Sequence, residues 1–277
     1  MIPMGLVTPP MVQLLVTSAD GTQISSQRYG TGRPLVIVSG ALFPSELWLK
    51  SVPLISDRRC AIVVDRRGRG KSGNDSAYAP ERELEDLLAV LGGLEGGVDL
   101  LGHSSGAILA LQVAQRSPAN LASLILYEPP VFEAAPERIA ADLPERLDSL
   151  LTAGNAEGAV ETFLREGPRM PEGELRSMKA GPTWKQMVKG LAHTVPYDSR
   201  VQRAFSADPA ALSRVRIRTL MLLGGASPPR MRSAAETIAA RLPNATLTEL
   251  EGQQHVAMLS APAHFARAVN EFLGSAS

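Results

Sequence analysis

The chain has 277 residues, 44% of them apolar, and its 28 Lys+Arg are matched by 28 Asp+Glu. That length suits one to two domains, and α/β folds of roughly 200–250 residues commonly form one core. Charge balance leaves no net field to attract nucleic acid or an anionic membrane, and the single Cys60 excludes an internal disulfide or a thiolate metal cluster.

Residues 1–10 contain no Lys or Arg and are broken by Pro3, Pro9 and Pro10, which is unlike a secretory signal peptide. No apolar run reaches the roughly 18 residues of a membrane span. The expectation is a cytoplasmic protein acting on a small molecule, with no nucleic-acid or membrane partner.

Met11–Thr17 and Thr22–Tyr29 read as an opening hairpin turning at Asp20-Gly21. Leu35–Ser39, Cys60–Asp65, Val98–Gly102, Leu121–Tyr127 and Ile217–Leu223 are short continuous apolar runs, the pattern of parallel strands buried on both faces. Cys60 is then a buried strand thiol. Thr246–Leu250 is a candidate last strand. Helical patterns fall between them at Glu81–Leu91, Ala107–Arg116, Met231–Leu242 and Ala263–Leu273. Alternating β and α segments predict an α/β fold with a doubly wound, mostly parallel sheet.

The alternation stops between Phe132 and Arg214, where only amphipathic patches occur, such as Ile139–Leu151, Ala156–Leu164 and Glu174–Lys179. The expected organisation is a core from residues 1–131 and 215–277 with a helical cap inserted at 132–214.

After the run Val98–Leu101 comes Gly102-His103-Ser104-Ser105-Gly106 and then a helix. A serine on a strand-to-helix turn this sharp leaves no room for side chains two positions either side, hence the two glycines. Ser104 is the candidate nucleophile, and the helix N-terminus behind it favours a developing oxyanion. The pentapeptide alone is a weak signal; its setting strengthens it.

With this motif the chain resembles the α/β-hydrolase fold family over nearly its whole length. Three further segments support the likeness. Ser39-Gly40-Ala41 follows the third strand, where the family usually has His-Gly-X. Asp65-Arg66-Arg67-Gly68-Arg69-Gly70-Lys71-Ser72 resembles the family's D-x-R-G-x-G-x-S turn. Gly252-Gln253-Gln254-His255 stands where the family carries its catalytic histidine. The resemblance implies His255 as general base, with the backbone N–H groups of Ala41 and Ser105 as the oxyanion hole. It also removes two decoys. Gly68 to Gly73 fits G-x-G-x-x-G but is followed by Asn74-Asp75-Ser76 rather than a helix. A P-loop ending at Gly70-Lys71-Ser72 would need glycine at Asp65.

The family's usual acid follows the seventh strand, where this chain reads Gly224-Gly225-Ala226-Ser227, with Ala226 at the expected Asp position. Glu128, at the end of the preceding strand, is the substitute, as in some haloalkane dehalogenases of this fold; otherwise an effective acid is missing, and Glu249 is a distant third. Of the other histidines, His103 is expected to pack beneath the turn, His193 to line the pocket or simply cover apolar cap surface, and His264 to be exposed. Trp184, Met178 and Met187 suggest an apolar pocket in the cap or simply its core. No metal constellation or cofactor motif is present.

These residues describe a serine hydrolase that cleaves a small or medium carboxylic ester or lactone through an acyl-enzyme on Ser104. The alternative is a non-hydrolytic protein of this fold, a biosynthetic lyase or cyclase or a ligand-binding pseudoenzyme, motivated by Ala226.

Overall fold

The computed structural model describes residues 11–56, 59–74, 78–131, 139–205 and 208–274. The expectations for residues 1–10 and for the first cap residues, 132–138, lie outside this set.

Eight strands form one sheet: β1 (Met11–Thr17), β2 (Gln23–Tyr29), β3 (Pro34–Val38), β4 (Cys60–Val64), β5 (Val98–His103), β6 (Leu121–Tyr127), β7 (Arg218–Gly224) and β8 (Ala245–Leu250). Their order across the sheet is β1-β2-β4-β3-β5-β6-β7-β8. The opening hairpin pairs antiparallel, β2 runs antiparallel to β4, and every later pairing is parallel.

The continuous apolar runs have a direct physical cause. In β3, Val36 and Val38 pack into one core while Leu35 and Ile37 pack into another on the opposite face; in β4, Ile62 and Val64 split in the same way from Ala61 and Val63. Side chains alternate across a strand, so a strand covered on both faces must be apolar at every position. Each fully buried Val, Leu or Ile contributes about 1.5–3 kcal/mol. Cys60 is buried in this layer, as expected.

Helices cover both faces. The chain passes through α1 (Val52–Ile55), α2 (Pro80–Gly92) and α3 (Ser105–Gln115) before the inserted segment, and through α10 (Pro229–Arg241), α11 (Ala257–Ser260) and α12 (Pro262–Gly274) after it. Residues of α2, α3 and α10 belong to the first core, and those of α1, α11 and α12 to the second. Pro80, Pro229 and Pro262 each open a helix, where the absent N–H is no loss.

Between β6 and β7 the described residues hold only helices: α4 (Leu143–Thr152), α5 (Ala156–Glu166), α6 (Glu172–Ala180), α7 (Trp184–Leu191), α8 (Val195–Ala204) and α9 (Pro209–Leu212), with a short 3₁₀ turn at Ala192–Thr194. They enclose a separate apolar core built around Leu143, Leu147, Val160, Phe163 and Trp184. Leu42, from the loop after β3, is part of that same core, so the cap and the carboxyl edge of the sheet share packing. Trp184 is buried there and donates Nε1–H to Glu157 Oε1 at 3.0 Å, Met187 packs against it, and Met178 is exposed. Trp184 and Met187 thus belong to the packing of the cap core, and Met178 does not.

Among the described residues no helix is long and apolar enough to cross a membrane.

Candidate active site

Ser104 sits between the last residue of β5 and the first of α3 with φ 55° and ψ −125°, a region that non-glycine residues enter at a cost of about 1–3 kcal/mol. Its neighbours hold it there. The Ser104 amide donates to Tyr127 O at 2.9 Å, extending the β5–β6 pairing, and the Ser104 carbonyl accepts from Ala107 N at 2.9 Å as the helix begins. The glycines at either side are obligatory. A Cβ on Gly102 would lie 2.5 Å from Ala107 Cα, and one on Gly106 would lie 2.4 Å from Val38 O. Gly40 is equally confined, with a hypothetical Cβ 2.7 Å from Ser104 Cβ. The loop after β3 therefore lies directly against the serine.

Glu128, the substitute for the carboxylate absent at Ala226, lies against His255. It follows β6 with φ 46°, is fully buried, and accepts from His255 Nδ1 at 2.6 Å through Oε2. Its other oxygen, Oε1, accepts from Gly224 N at 2.7 Å and Ser227 Oγ at 2.5 Å. Strands β6 and β7 are adjacent, with Tyr127 opposite Leu222. The end of β7 and the loop after it, whose Ala226 offers no carboxylate, instead supply two donors, Gly224 N and Ser227 Oγ, to a carboxylate from the strand beside it. Burial alone would raise the Glu128 pKa. The His255 hydrogen bond and charge, with the Ser227 and Gly224 donors, outweigh it and hold Glu128 below the usual carboxylate range. An ionised carboxylate only accepts, so His255 Nδ1 carries a proton, which leaves Nε2 as the nitrogen that can take one up. The His255 side chain is 38% exposed, so this edge is not sealed in the core.

His255 is fixed from below as well. His103 lies beneath the turn, as expected, and its Nε2–H donates to His255 O at 2.9 Å. The two rings are 4.7 Å apart between centroids. Burial and the His255 charge push the His103 pKa well down, so it stays neutral. Tyr127 OH donates to Gln254 O and accepts from Ala257 N, clamping the chain on both sides of His255. The structure thus joins Glu128 to His255, and His255 to the residue preceding Ser104. Among the described contacts it shows no hydrogen bond between Ser104 Oγ and His255, a bond that commonly tightens only with substrate bound.

Ala41 and Ser105 flank Ser104 on the two loops that the resemblance implicates. Among the described residues neither amide donates a hydrogen bond to the protein. Ser105 opens α3, so its N–H is one of the helix's orphan donors.

The turn after β4 is structural. Asp65 Oδ2 accepts from Lys71 N at 3.1 Å, Ser72 Oγ donates to Asp65 O at 2.5 Å, and a Cβ on Gly70 would meet the Asp65 carboxylate at 2.3 Å. His193 ties the cap to this turn through Gly68 O at 2.8 Å rather than covering apolar surface. His264 is half-buried instead of exposed, and Glu249 pairs with Arg232 at 2.8 Å. Among the described residues no group of His, Cys, Asp and Glu is placed to hold a metal ion.

An eight-stranded sheet with a serine at the sharp β5–α3 turn, and a histidine–carboxylate pair at the adjacent strand ends, defines the α/β-hydrolase class. The alpha/beta hydrolase family model matches residues 35–268, and the chain belongs to that family. It is similar to an alpha/beta hydrolase from Sphaerobacter thermophilus, with 36% identity, TM-score 0.86 and coverage of 94% of this chain and 100% of that one. Pimeloyl-[acyl-carrier protein] methyl ester esterase of Aeromonas hydrophila is 26% identical over 91% of this chain and 99% of its own length. N-formylmaleamate deformylase of Pseudomonas putida is 33% identical over 49% of this chain and 52% of that enzyme.

Several contributors are invisible in sequence. Gly224, Ser227 and Tyr127 act on the site only because three strand ends converge. The one available signal was the carboxylate at the end of β6 facing a loop without one.

Proposed function

We propose that the protein is a serine hydrolase that cleaves a small or medium carboxylic ester or lactone. The observation that carries this reading is the 2.6 Å bond from His255 Nδ1 to the buried Glu128 carboxylate, which orients a base beside the Ser104 turn.

In the proposed reaction Ser104 Oγ attacks the acyl carbonyl carbon while His255 Nε2 takes its proton. Glu128 stabilises the imidazolium without itself being protonated. The Ala41 and Ser105 amides receive the oxyanion, and α3 directs its positive end toward it. His255 then returns the proton to the leaving alkoxide, or to the ring oxygen of a lactone. Water, deprotonated by the same histidine, releases the acid from Ser104.

The relatives support the reaction type: one is named as a methyl ester esterase and another as a deformylase, both of which break a bond to an acyl carbon. The non-hydrolytic alternative rested on the missing acid at Ala226. Glu128 fills that role in this reading and weakens the case for a pseudoenzyme.

Hydrolysis of short-chain p-nitrophenyl esters and of a γ-lactone, followed with wild type, Ser104→Ala and His255→Ala, tests the proposal. Turnover by wild type, reduced to near background in both variants, is the expected result. Turnover unchanged in Ser104→Ala would overturn it.

A further inference from the structure

Four buried charges lie beneath the elbow, and they do not come from one part of the chain. Arg66 belongs to the turn after β4, Glu83 to α2, Arg69 to the same turn as Arg66, and Asp198 to α8 of the cap. All four are nearly inaccessible to solvent. Arg66 pairs with Glu83 through Nε at 2.7 Å and Nη2 at 2.9 Å. Arg69 Nη2 pairs with Asp198 Oδ2 at 2.7 Å. Two arginines and two carboxylates make the cluster neutral, which is how buried charges are tolerated.

One nitrogen of this cluster has a special set of partners. Arg66 Nη1 reaches Asp198 Oδ1 at 2.8 Å, Ser39 O at 3.1 Å and Ser105 Oγ at 3.1 Å. Ser105 Oγ in turn donates to Asp198 Oδ1 at 2.7 Å. Ser39 lies two residues before Ala41, and Ser105 directly follows Ser104. A single guanidinium nitrogen therefore grips both loops whose amides form the proposed oxyanion hole, and a carboxylate from the cap fixes that nitrogen. The loops also touch at Gly106, where a Cβ would meet Ser39 O at 2.5 Å, so their separation has no slack. Leu42 makes a second tie in the opposite direction, from the oxyanion loop into the cap core.

We propose that Asp198, carried by the cap, is a positioning residue for the oxyanion hole: through Arg66 and Ser105 it sets the spacing of the Ala41 and Ser105 amides. The cap then does more than cover the substrate; it completes the geometry that stabilises the tetrahedral intermediate. This rests on the hydrolase reading above. Hydrogen-bond donors aimed at an oxyanion act only where charge develops, so losing their alignment lowers kcat and leaves KM nearly unchanged.

The test uses the full chain and two probes, p-nitrophenyl butyrate for turnover and an aryl trifluoromethyl ketone, whose hemiketal oxyanion occupies the hole. Asp198→Asn is expected to lower kcat about 100-fold, with KM within about threefold of wild type and ketone affinity weakened in parallel with kcat. Ser105→Ala keeps the ion pairs and both amides but cuts the elbow from the cluster. It is expected to lose about tenfold in kcat and in ketone affinity, and it carries the test alone if Asp198→Asn does not fold.

Asp86→Asn is the structural control. Asp86 pairs with the neighbouring Arg67 in an equally buried contact, at 2.6 Å, which reaches neither Ser39 nor Ser105. It should lower the melting temperature and leave kcat and ketone affinity within twofold. Folded Asp198→Asn or Ser105→Ala with wild-type kcat and ketone affinity would overturn the proposal. So would a rise in KM alone, or an equal loss in Asp86→Asn. A wild type that neither turns over the ester nor binds the ketone would instead overturn the hydrolase reading on which it stands.

Discussion

Replacing Glu128 by Gln keeps the shape of the side chain and removes its charge. In the wild-type site the carboxylate accepts three hydrogen bonds, from His255 Nδ1, Gly224 N and Ser227 Oγ. A carboxamide has one oxygen. If that oxygen keeps the Gly224 and Ser227 donors, the NH₂ group faces His255 Nδ1, and two donors meet at 2.6 Å. Neutral His255 escapes by moving its proton to Nε2, which can then no longer take the serine proton. If the carboxamide flips, Gly224 N loses its acceptor inside the protein. The first outcome costs about 10⁴-fold in turnover in sites of this design, or roughly 5 kcal/mol of transition-state stabilisation. Loss of charge-assisted bonds adds about 1–3 kcal/mol of destabilisation, a shift of a few degrees in melting temperature for a chain this long. The assay is ester hydrolysis with urea unfolding in parallel, comparing wild type, Glu128→Gln and Ser104→Ala. A folded Glu128→Gln protein is expected to turn over about 10³- to 10⁴-fold more slowly than wild type. Turnover within threefold of wild type would refute the role assigned to this carboxylate.

Ala226→Asp should not accelerate the wild-type enzyme, since His255 Nδ1 is already engaged; a tenfold gain in turnover would show that Glu128 is not serving as the acid. Gly106→Ala places a Cβ 2.4 Å from Val38 O and is expected to lose about 2 kcal/mol or more of stability by urea titration. Acid should unfold the protein through Glu128, Glu83 and Asp198, whose pKa values are held below normal in the fold. Their contribution is present above the ordinary carboxylate pKa and is lost as pH falls through the lowered folded value. Urea midpoints should therefore drop on going from pH 5 to pH 3, with a shallower drop in Glu128→Gln, and equal slopes would contradict this. His103→Phe removes the donor to His255 O and should slow ester hydrolysis about tenfold with little change in KM; an unchanged kcat would count against that anchor.

What could be read in the sequence follows a physical division. Strands buried on both faces announce themselves locally, so Leu35–Ser39 and Cys60–Asp65 fall on β3 and β4 with only terminal residues shifted. The demand for glycine at Gly102 is likewise local, because the close contacts it relieves come from the turn itself, whereas Gly106 relieves contacts with Val38 and Ser39 at the end of β3. The cap was legible as helical but not in detail. Its helices α7 and α8 are half polar, and polar residues in and between them are spent on contacts distant in sequence: His193 with Gly68, and Asp198 with Arg66, Arg69 and Ser105. Nothing in the local sequence of α8 marks Asp198 as a fully buried charge, since its partners come from the turn after β4 and the start of α3. Glu128 lies between these cases. Its position at a strand end was visible, whereas the braces from Gly224 and Ser227 depend on β6 and β7 being neighbours in the sheet.

Intact-mass analysis after treatment with a fluorophosphonate probes most directly whether Ser104 is an activated nucleophile. Wild type should gain one phosphonyl adduct, mapped by peptide sequencing to Ser104. Ser104→Ala should gain none, and His255→Ala should react at least about 10³-fold more slowly. A wild-type protein that stays unmodified, or an adduct that persists in Ser104→Ala, would contradict the serine-hydrolase mechanism.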